Sequence, residues 1–162
     1  MNMILSADLN WGLGYENELL FHLKADMRYF KSKTINNTVI MGFNTFQSLP
    51  NQQPLIDRRN IVLTRKKIEI DGVEIANSIE DTLKLVESEN SEDIFVIGGE
   101  KIYKQFMPLV SKIYVTRIYN SKPADTFFTN LDKCEGWQKT AHGEKLEENG
   151  VKFSFDVYTS SC

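Results

Sequence analysis

The sequence predicts a three-layer α/β protein, in which a central, mixed and mainly parallel sheet of eight strands is flanked by four helices. Apolar runs and turn signals alternate along the 162 residues. The runs "TVIMG" (38–42) and "IFVIGG" (94–99) are short and continuously apolar, which is typical of central strands buried on both faces. The segment "VKFSFDV" (151–157) instead alternates apolar and polar residues, which indicates a half-buried antiparallel strand with its apolar side inward.

The individual elements follow from the same patterns. Helices are predicted where apolar residues recur with helical spacing, near 24–34, 44–49, 79–88 and 100–107. Strands are predicted near 3–9, 38–41, 59–64, 73–76, 94–97, 112–119, 137–145 and 151–158. Because strands and helices alternate before a β-rich end, helices should cover both faces of the sheet.

Bulk composition indicates one domain over residues 1–162, long enough to bury its own core. The net charge of −3 gives no general attraction to nucleic acid or to an anionic membrane. No apolar run approaches the roughly 18 residues that span a bilayer. The start, "MNMILSADL", lacks the pattern of a signal peptide, so we expect a cytoplasmic protein.

Cysteine and histidine spacing predicts neither a disulfide framework nor a metal site. The cysteines are Cys134 and Cys162, and neither has a metal-ligand spacing to His22 or His142.

One acidic residue stands on the apolar side of the first helix. In "LFHLKADMRYFK" (20–31), helical spacing puts Leu23, Met27 and Phe30 on one face together with Asp26. No Lys or Arg lies three or four residues from Asp26. Two interpretations are open: Asp26 is a helix cap in the first turn, or it is a cleft carboxylate that binds a ligand.

Two strand-to-helix junctions and one long connection could form a ligand site. "NTVIMGFNTF" (37–46) and "DIFVIGGEKIY" (93–103) pass from a buried strand through glycine into a helix, where backbone can approach a phosphate closely. Steric packing explains such glycines equally well, and the G-x-G-x-x-G fingerprint of a standard Rossmann domain is missing. "NWGLGYENELLFH" (10–22) is predicted as either a mobile lid or an ordinary packed loop.

These features occur together, and in this order, in a known family. The chain resembles dihydrofolate reductase of the bacterial chromosomal type over essentially its whole length. The resemblance implies an eight-stranded mixed sheet with four helices and NADPH-dependent reduction of 7,8-dihydrofolate to tetrahydrofolate for one-carbon metabolism. The matching segments are "GLGYEN" (12–17), "ADMRYFK" (25–31), "VIMGFNTFQSL" (39–49), "PLIDRRNIVLTR" (54–65), "VIGGEKIYKQFMP" (96–108), "KIYVTRI" (112–118) and "ADTFF" (124–128).

The resemblance implies a substrate site around Asp26. In the family this acid binds the pterin ring, Thr116 matches a threonine that hydrogen-bonds the acid, and Arg58 matches the arginine that grips the glutamate tail. A bidentate grip on a carboxylate suits a guanidinium. The implied substrate-binding residues are Ile4, Leu5, Asp26, Met27, Phe30, Leu49, Leu55, Arg58, Ile97 and Thr116.

The resemblance also implies an NADPH site. Gly98-Gly99 matches a cis peptide, Tyr103 matches a residue beside the nicotinamide, and Thr64 with Arg65 follows a strand where the family binds the adenosine 2′-phosphate. The implied cofactor-binding residues are Ser6, Leu13, Gly14, Asn17, Leu19, Gly42, Phe43, Asn44, Thr45, Leu63, Thr64, Arg65, Gly98, Gly99, Glu100, Lys101, Ile102 and Tyr103.

The chain departs from the family pattern at several of these positions. Phe21 stands where the family has a tryptophan whose indole holds a water bridging to the pterin, and a phenyl ring cannot make that bond. Phe43 stands where a basic residue usually contacts the cofactor phosphate, and Gln53 where a residue near the glutamate tail is often basic. The implied catalytic set is Asp26, Thr116, Tyr103 and Phe21.

Two other functions remain possible from the sequence. One is a pterin or pyrimidine reductase on the same fold, such as that of riboflavin synthesis, and the other is a non-catalytic folate or dinucleotide binding module. The expected partners are dihydrofolate and antifolate inhibitors, with no nucleic acid and no membrane, and we expect a monomer because no apolar stripe calls for a partner.

Overall fold

Eight strands lie side by side in one mixed sheet at the centre of the molecule. The computed structural model describes residues 1–161. The strands along the chain are β1 (Asn2–Ala7), β2 (Gly12–Tyr15), β3 (Glu18–Leu19), β4 (Thr38–Gly42), β5 (Arg59–Leu63), β6 (Val73–Ala76), β7 (Ile94–Gly98), β8 (Lys112–Ile118), β9 (Thr126–Phe127), β10 (Trp137–His142), β11 (Leu146–Glu148) and β12 (Val151–Ser160). The helices are α1 (Lys24–Thr34), α2 (Phe43–Ser48), α3 (Ile79–Leu85) and α4 (Glu100–Phe106).

The order across the sheet is β10-β12-β8-β1-β7-β4-β5-β6. All pairings from β8 to β6 are parallel, whereas β12 runs antiparallel to both β8 and β10. The predicted sheet of eight strands and its four predicted helices are therefore confirmed. The short strand β11 adds to β12 outside this path.

Alternate residues of the central strands bury opposite faces of the sheet, which gives the predicted three layers. Ile40 of β4 belongs to the core cluster that also contains Tyr103 and Phe106 of α4. Its neighbours Val39 and Met41 belong to the opposite cluster, which includes Phe46 of α2.

The connection at residues 10–22 is not a plain loop. It contains the hairpin β2–β3, and β2 also pairs with β9 in a separate three-stranded sheet. The turn residues Glu16 and Asn17 have φ values of 49° and 62°. A two-residue turn with positive φ at both positions joins strands that twist in the usual sense, so the hairpin is a regular one.

The expectation of a half-buried β12 is wrong on its polar side. Ser154 and Asp156 are both fully buried, although the alternating pattern predicts them in solvent. The Oδ1 atom of Asp156 accepts hydrogen bonds from the Ser154 hydroxyl (3.0 Å) and the Gly143 N–H (3.3 Å), and it lies 2.8 Å from Nδ1 of His142. Burial of this acid is tolerated because polar groups contact Oδ1 and the ammonium group of Lys139 lies 3.7 Å from Oδ2.

Across residues 1–161, no helix is both long enough and apolar enough to cross a bilayer.

Candidate active site

Asp26 and Thr116 meet beside the central strands. Asp26 lies in the first turn of α1 and is half-buried, while Thr116 on β8 is 1% exposed. The Thr116 hydroxyl donates a 2.6 Å hydrogen bond to Oδ1 of Asp26, so the bond implied by the family resemblance is present. Burial raises the pKa of Asp26, and the hydroxyls of Thr116 and Ser6 oppose that rise by bonding the charged form.

The start of α1 is capped by another acid. Glu148 accepts hydrogen bonds from the backbone N–H groups of Lys24 (2.7 Å) and Ala25 (3.0 Å). The preceding residue, Leu23, has no side-chain hydrogen bond to the helix. Because Glu148 satisfies these free N–H groups, α1 does not need Asp26 as a bonded cap, and the carboxylate of Asp26 is directed to β8 instead.

The apolar face predicted for α1 is only partly correct. Leu23 is 4% exposed and Phe30 is half-buried, but Met27 is 60% exposed. Tyr29 makes the contact with the sheet instead, because its ring stacks on Phe155 at a centroid distance of 4.0 Å. Met27 is therefore a surface residue and does not belong to the core.

Arg58 is held in place by two acceptors. Its Nε donates to the Ile56 carbonyl (2.9 Å), and its NH1 atom donates to Oγ1 of Thr34 at the end of α1 (3.1 Å). Partial burial lowers the pKa of its guanidinium, which nevertheless stays charged because arginine is not deprotonated in proteins at physiological pH. The plane of the guanidinium is thus fixed before any ligand binds.

The two glycine junctions of the sequence come together at the carboxyl ends of two neighbouring central strands. Strands β4 and β7 are parallel neighbours, with Met41 paired to Gly98, and the Gly98-Gly99 peptide is cis. A Cβ on Gly42 would lie 2.9 Å from Cγ1 of Ile102, and a Cβ on Gly98 would lie 3.3 Å from Oγ1 of Thr45. Backbone and hydroxyl are therefore packed closely where the carboxyl ends of parallel strands meet, the usual place for a ligand in such sheets.

Tyr103 joins α4 to the first strand. Its side chain is 5% exposed, and its hydroxyl donates a 2.9 Å hydrogen bond to the Ile4 carbonyl. Burial, together with the nearby charge of Asp26, raises the pKa of Tyr103 well above its usual range. Tyr103 is therefore neutral at physiological pH, and its hydroxyl proton is already hydrogen-bonded to the Ile4 carbonyl of β1.

The hairpin β2–β3 lies against the start of α2. The side-chain amide of Asn17 donates to the Asn44 carbonyl (3.0 Å), and the Glu16 N–H donates to Asp125 (2.9 Å). A Cβ on Gly14 would lie 2.6 Å from the Glu18 carbonyl oxygen, so the tight hairpin requires glycine there. These contacts fit the predicted lid, although a packed hairpin would make them as well.

A hydrogen-bonded turn follows β5. The side-chain amide of Asn77 donates to the carbonyls of Thr64 (2.7 Å) and Lys66 (3.4 Å), and the Lys66 N–H donates to the Thr64 hydroxyl (3.2 Å). The Nζ atom of Lys66 lies 4.7 Å from the centroid of the Phe43 ring. Lys66 is not among the residues that the family resemblance implies, and its signal in the sequence is the basic run "RKK" (65–67).

Phe21 is buried near the hairpin, and the ammonium group of Lys122 lies over its ring. Its side chain is 6% exposed, and Nζ of Lys122 lies 4.4 Å from the ring centroid while donating to the Leu20 carbonyl (2.9 Å). The ring is thus occupied by packing and by this cation.

The other predicted residues divide by environment. Leu5, Leu13, Leu63 and Ile102 belong to, or pack against, the core cluster of α4. Leu49, Leu55 and Ile97 pack together with Phe43 against the cluster of α2. Leu19, Asn44, Arg65 and Lys101 are exposed, and Ser6, Gly99 and Glu100 are half-buried.

Within residues 1–161, no group of three or more His, Cys, Asp or Glu could hold a metal ion, and Cys162 lies outside the described residues.

Comparisons with known proteins agree over nearly the whole chain. The family model described as dihydrofolate reductase matches residues 1–160. The dihydrofolate reductase of Staphylococcus haemolyticus is 36% identical over 161 residues, covering 98% of this chain and 94% of that protein. That of Bacillus subtilis is 32% identical, covering 98% and 93%.

A solved structure shows the same fold. Dihydrofolate reductase from Enterococcus faecalis, complexed with NADP(H) and RAB-propyl, matches with a TM-score of 0.89 and 29% identity over 99% of this chain and 96% of that one. Sequence and structure, from the acid–threonine pair to the paired glycine junctions, lead to the same conclusion: this chain belongs to the dihydrofolate reductase family of oxidoreductases.

Proposed function

We propose that this chain is a single-domain, NADPH-dependent enzyme that reduces 7,8-dihydrofolate to 5,6,7,8-tetrahydrofolate, with hydride added at C6 and a proton at N5. The observation that carries the proposal is the half-buried Asp26, bonded by Thr116. Among residues 1–161, no Lys or Arg forms an ion pair with this carboxylate. A carboxylate that is desolvated without a cation favours a ligand that brings its own donors.

Asp26 would orient the substrate. A pterin presents N3–H and a 2-amino group side by side, and the two oxygens of one carboxylate can accept both hydrogen bonds. Thr116 already holds Oδ1 in position, which reduces the freedom lost on binding. The negative charge that Asp26 places near the ring would also favour protonation of N5, with water delivering the proton.

Phe21 changes how that water would be held. A phenyl ring offers no N–H, and its face is already contacted by Lys122. Phe21 therefore cannot hold the delivering water by a hydrogen bond.

The residues at the glycine junctions fit NADPH. NADPH, when bound, supplies the hydride. The close approach of Gly42 to Ile102, and of Gly98 to Thr45, leaves backbone without side chains at the edge where two strands end. Hydroxyls and cations suited to phosphate surround that edge, namely Thr45, Thr64, Arg65 and Lys101. Tyr103 would turn only its oxygen lone pairs to the nicotinamide, because its proton is bonded to Ile4.

Arg58 would bind the α-carboxylate of the glutamate tail. Its guanidinium is oriented by Thr34 and Ile56, and a fixed planar fork is suited to a bidentate carboxylate contact.

The test is the loss of NADPH absorbance when dihydrofolate is added to the purified chain. NADH in place of NADPH, and a flavin precursor in place of dihydrofolate, serve as controls. Turnover with dihydrofolate and NADPH alone is the expected result. Turnover with the flavin precursor would instead identify a reductase of riboflavin synthesis, and binding of both ligands without turnover would identify a non-catalytic module. Light scattering of the same preparation tests the monomeric state that we propose for this cytoplasmic enzyme.

A further inference from the structure

The ammonium group of Lys66 sits on an aromatic face next to the proposed cofactor site. Its Nζ lies 4.7 Å from the centroid of Phe43, within the range of a cation–π contact. Phe43 follows β4, and Lys66 lies three residues beyond the end of β5. Because β4 and β5 are parallel neighbours with Gly42 paired to Leu63, the two residues lie at the same edge of the sheet.

The turn that carries Lys66 is hydrogen-bonded on both sides of Arg65. Asn77 donates to the carbonyls of both Thr64 and Lys66, and the Thr64 hydroxyl accepts from the Lys66 N–H. The lysine side chain is therefore constrained at its base by the turn and at its tip by the Phe43 ring. A side chain constrained at both ends loses less conformational freedom when it contacts a ligand than a free surface lysine does.

The charge of Lys66 is not neutralised within the protein. Among residues 1–161, Lys66 takes part in no ion pair. The neighbouring Arg65 is also exposed, so one hydrogen-bonded turn presents two adjacent cations. An ammonium has three donors, so Lys66 can contact a phosphate on its outer side while it remains over the Phe43 ring.

We infer that Lys66, held over Phe43, binds the 2′-phosphate of NADPH together with Arg65 and is a specificity-determining residue of this chain. The inference rests on the proposed function and extends it. Phe43, which cannot contact a phosphate by charge, contributes by placing a cation from the neighbouring turn.

The test compares ligands that differ only in the 2′-phosphate. Dissociation constants are measured by calorimetry for NADPH and NADH, and for the fragments 2′,5′-ADP and 5′-AMP. Lys66→Met keeps an unbranched apolar side chain, and Lys67→Met is the matched control because it removes the same charge one residue away. Lys66→Met should weaken NADPH and 2′,5′-ADP by roughly threefold to tenfold, as expected for a partly exposed charge contact. NADH and 5′-AMP should change by less than about twofold in both variants.

A double-mutant cycle tests the role of the ring. Phe43→Leu should weaken 2′,5′-ADP in the parent but have little further effect in the Lys66→Met background. Additive losses would overturn the pairing of Phe43 with Lys66. Equal losses for phosphorylated and unphosphorylated ligands, or equal effects of Lys66→Met and Lys67→Met, would overturn the assignment of Lys66.

Because the fragments bind without any reaction, this experiment separates the two proposals. A chain that fails to reduce dihydrofolate but loses 2′,5′-ADP affinity in Lys66→Met contradicts the proposed function and supports the inference. A chain that reduces dihydrofolate normally, and whose Lys66→Met variant keeps its affinity for 2′,5′-ADP, supports the proposed function and contradicts the inference.

Discussion

The carboxylate of Glu148 accepts a 2.7 Å hydrogen bond from the backbone N–H of Lys24, which lies 124 residues away in the sequence. A strand near the end of the chain thereby caps the helix that carries Asp26. Two acids stand near the start of α1, and the structure gives them different tasks: Glu148 bonds the helix, and Asp26 bonds Thr116.

We predict that Glu148→Gln lowers the melting temperature without changing the pterin contacts of Asp26. The backbone bonds to Lys24 and Ala25 lower the pKa of Glu148 below its ordinary 4.5 in the folded chain. The charged cap therefore stabilises the fold above pH 4.5, and this stabilisation is lost as the pH falls through the folded pKa. The melting difference between parent and variant should shrink on acidification, whereas Glu147→Gln, one residue away and exposed, should melt like the parent at every pH.

The second prediction concerns the chemistry of Asp26. In Asp26→Asn, hydride transfer at pH 7 should fall by orders of magnitude, because N5 is no longer helped to accept its proton. Part of the rate should return at lower pH, where solvent protonates the substrate first. Pre-steady-state measurement of hydride transfer from acidic to neutral pH checks this, and near-normal transfer at pH 7 would reject the catalytic role.

The same substitution should stabilise the fold at neutral pH. Burial raises the pKa of Asp26 above its ordinary 3.8, so the folded chain holds this proton at pH values where the unfolded chain has lost it. Stability therefore falls as the pH rises through that window, and Asp26→Asn removes the loss. The variant should melt above the parent at pH 7, and the two should converge below about pH 3.8. A lower melting temperature at pH 7 would mean that the carboxylate has a structural role.

Arg58 should discriminate between ligands with and without a glutamate tail. Arg58→Ala should weaken dihydrofolate and tail-bearing antifolates by about tenfold to a hundredfold, the cost of a lost charge-assisted bidentate contact. Tailless diaminopyrimidines should bind almost as before. Arg58→Lys, which keeps the charge and loses the fork, should fall between the two. Similar losses for both ligand classes in equilibrium titrations would assign Arg58 to structure.

Arg65 should govern the preference for NADPH over NADH. Arg65 is exposed on the turn that Asn77 holds, so its removal should leave the fold intact. Arg65→Ala should raise the KM for NADPH much more than the KM for NADH, with little change in kcat. Steady-state assays with both cofactors measure these KM values. An equal rise in the KM for NADPH and the KM for NADH would contradict the prediction.

Local patterns predicted the elements of this fold well, because the central strands are apolar on both faces. The helix α1 was predicted at its observed bounds, Lys24–Thr34. The hairpin β2–β3 was missed because its strands are short and rich in glycine, although the sequence "EN" at its turn carries the positive φ values of a tight hairpin. The exposure of Met27 could not be predicted, since a helical wheel does not show that Tyr29 takes the contact with Phe155.

The candidate site was predictable to a lesser degree from residue patterns alone. Asp26 was identified by its apolar surroundings, but its choice between two roles depended on Glu148, which no local pattern connects to α1. The contact between Lys66 and Phe43 likewise depends on the parallel pairing of β4 with β5. Such relations are set by the topology and have no signal within a short window of sequence.

The buried polar side of β12 has a consequence for strand register. Phe153, Phe155 and Val157 face one way, and Ser154, Asp156 and Tyr158 face the other, where Asp156 is bonded. A slip of one residue would exchange the two faces and press a carboxylate against the ring of Tyr29. In the observed alignment Phe155 pairs with Thr116, the hydroxyl donor of the active site. Asp156 takes no part in the proposed chemistry. Its burial and hydrogen bonds nevertheless exclude the neighbouring registers and so fix the position of β12 beside Thr116.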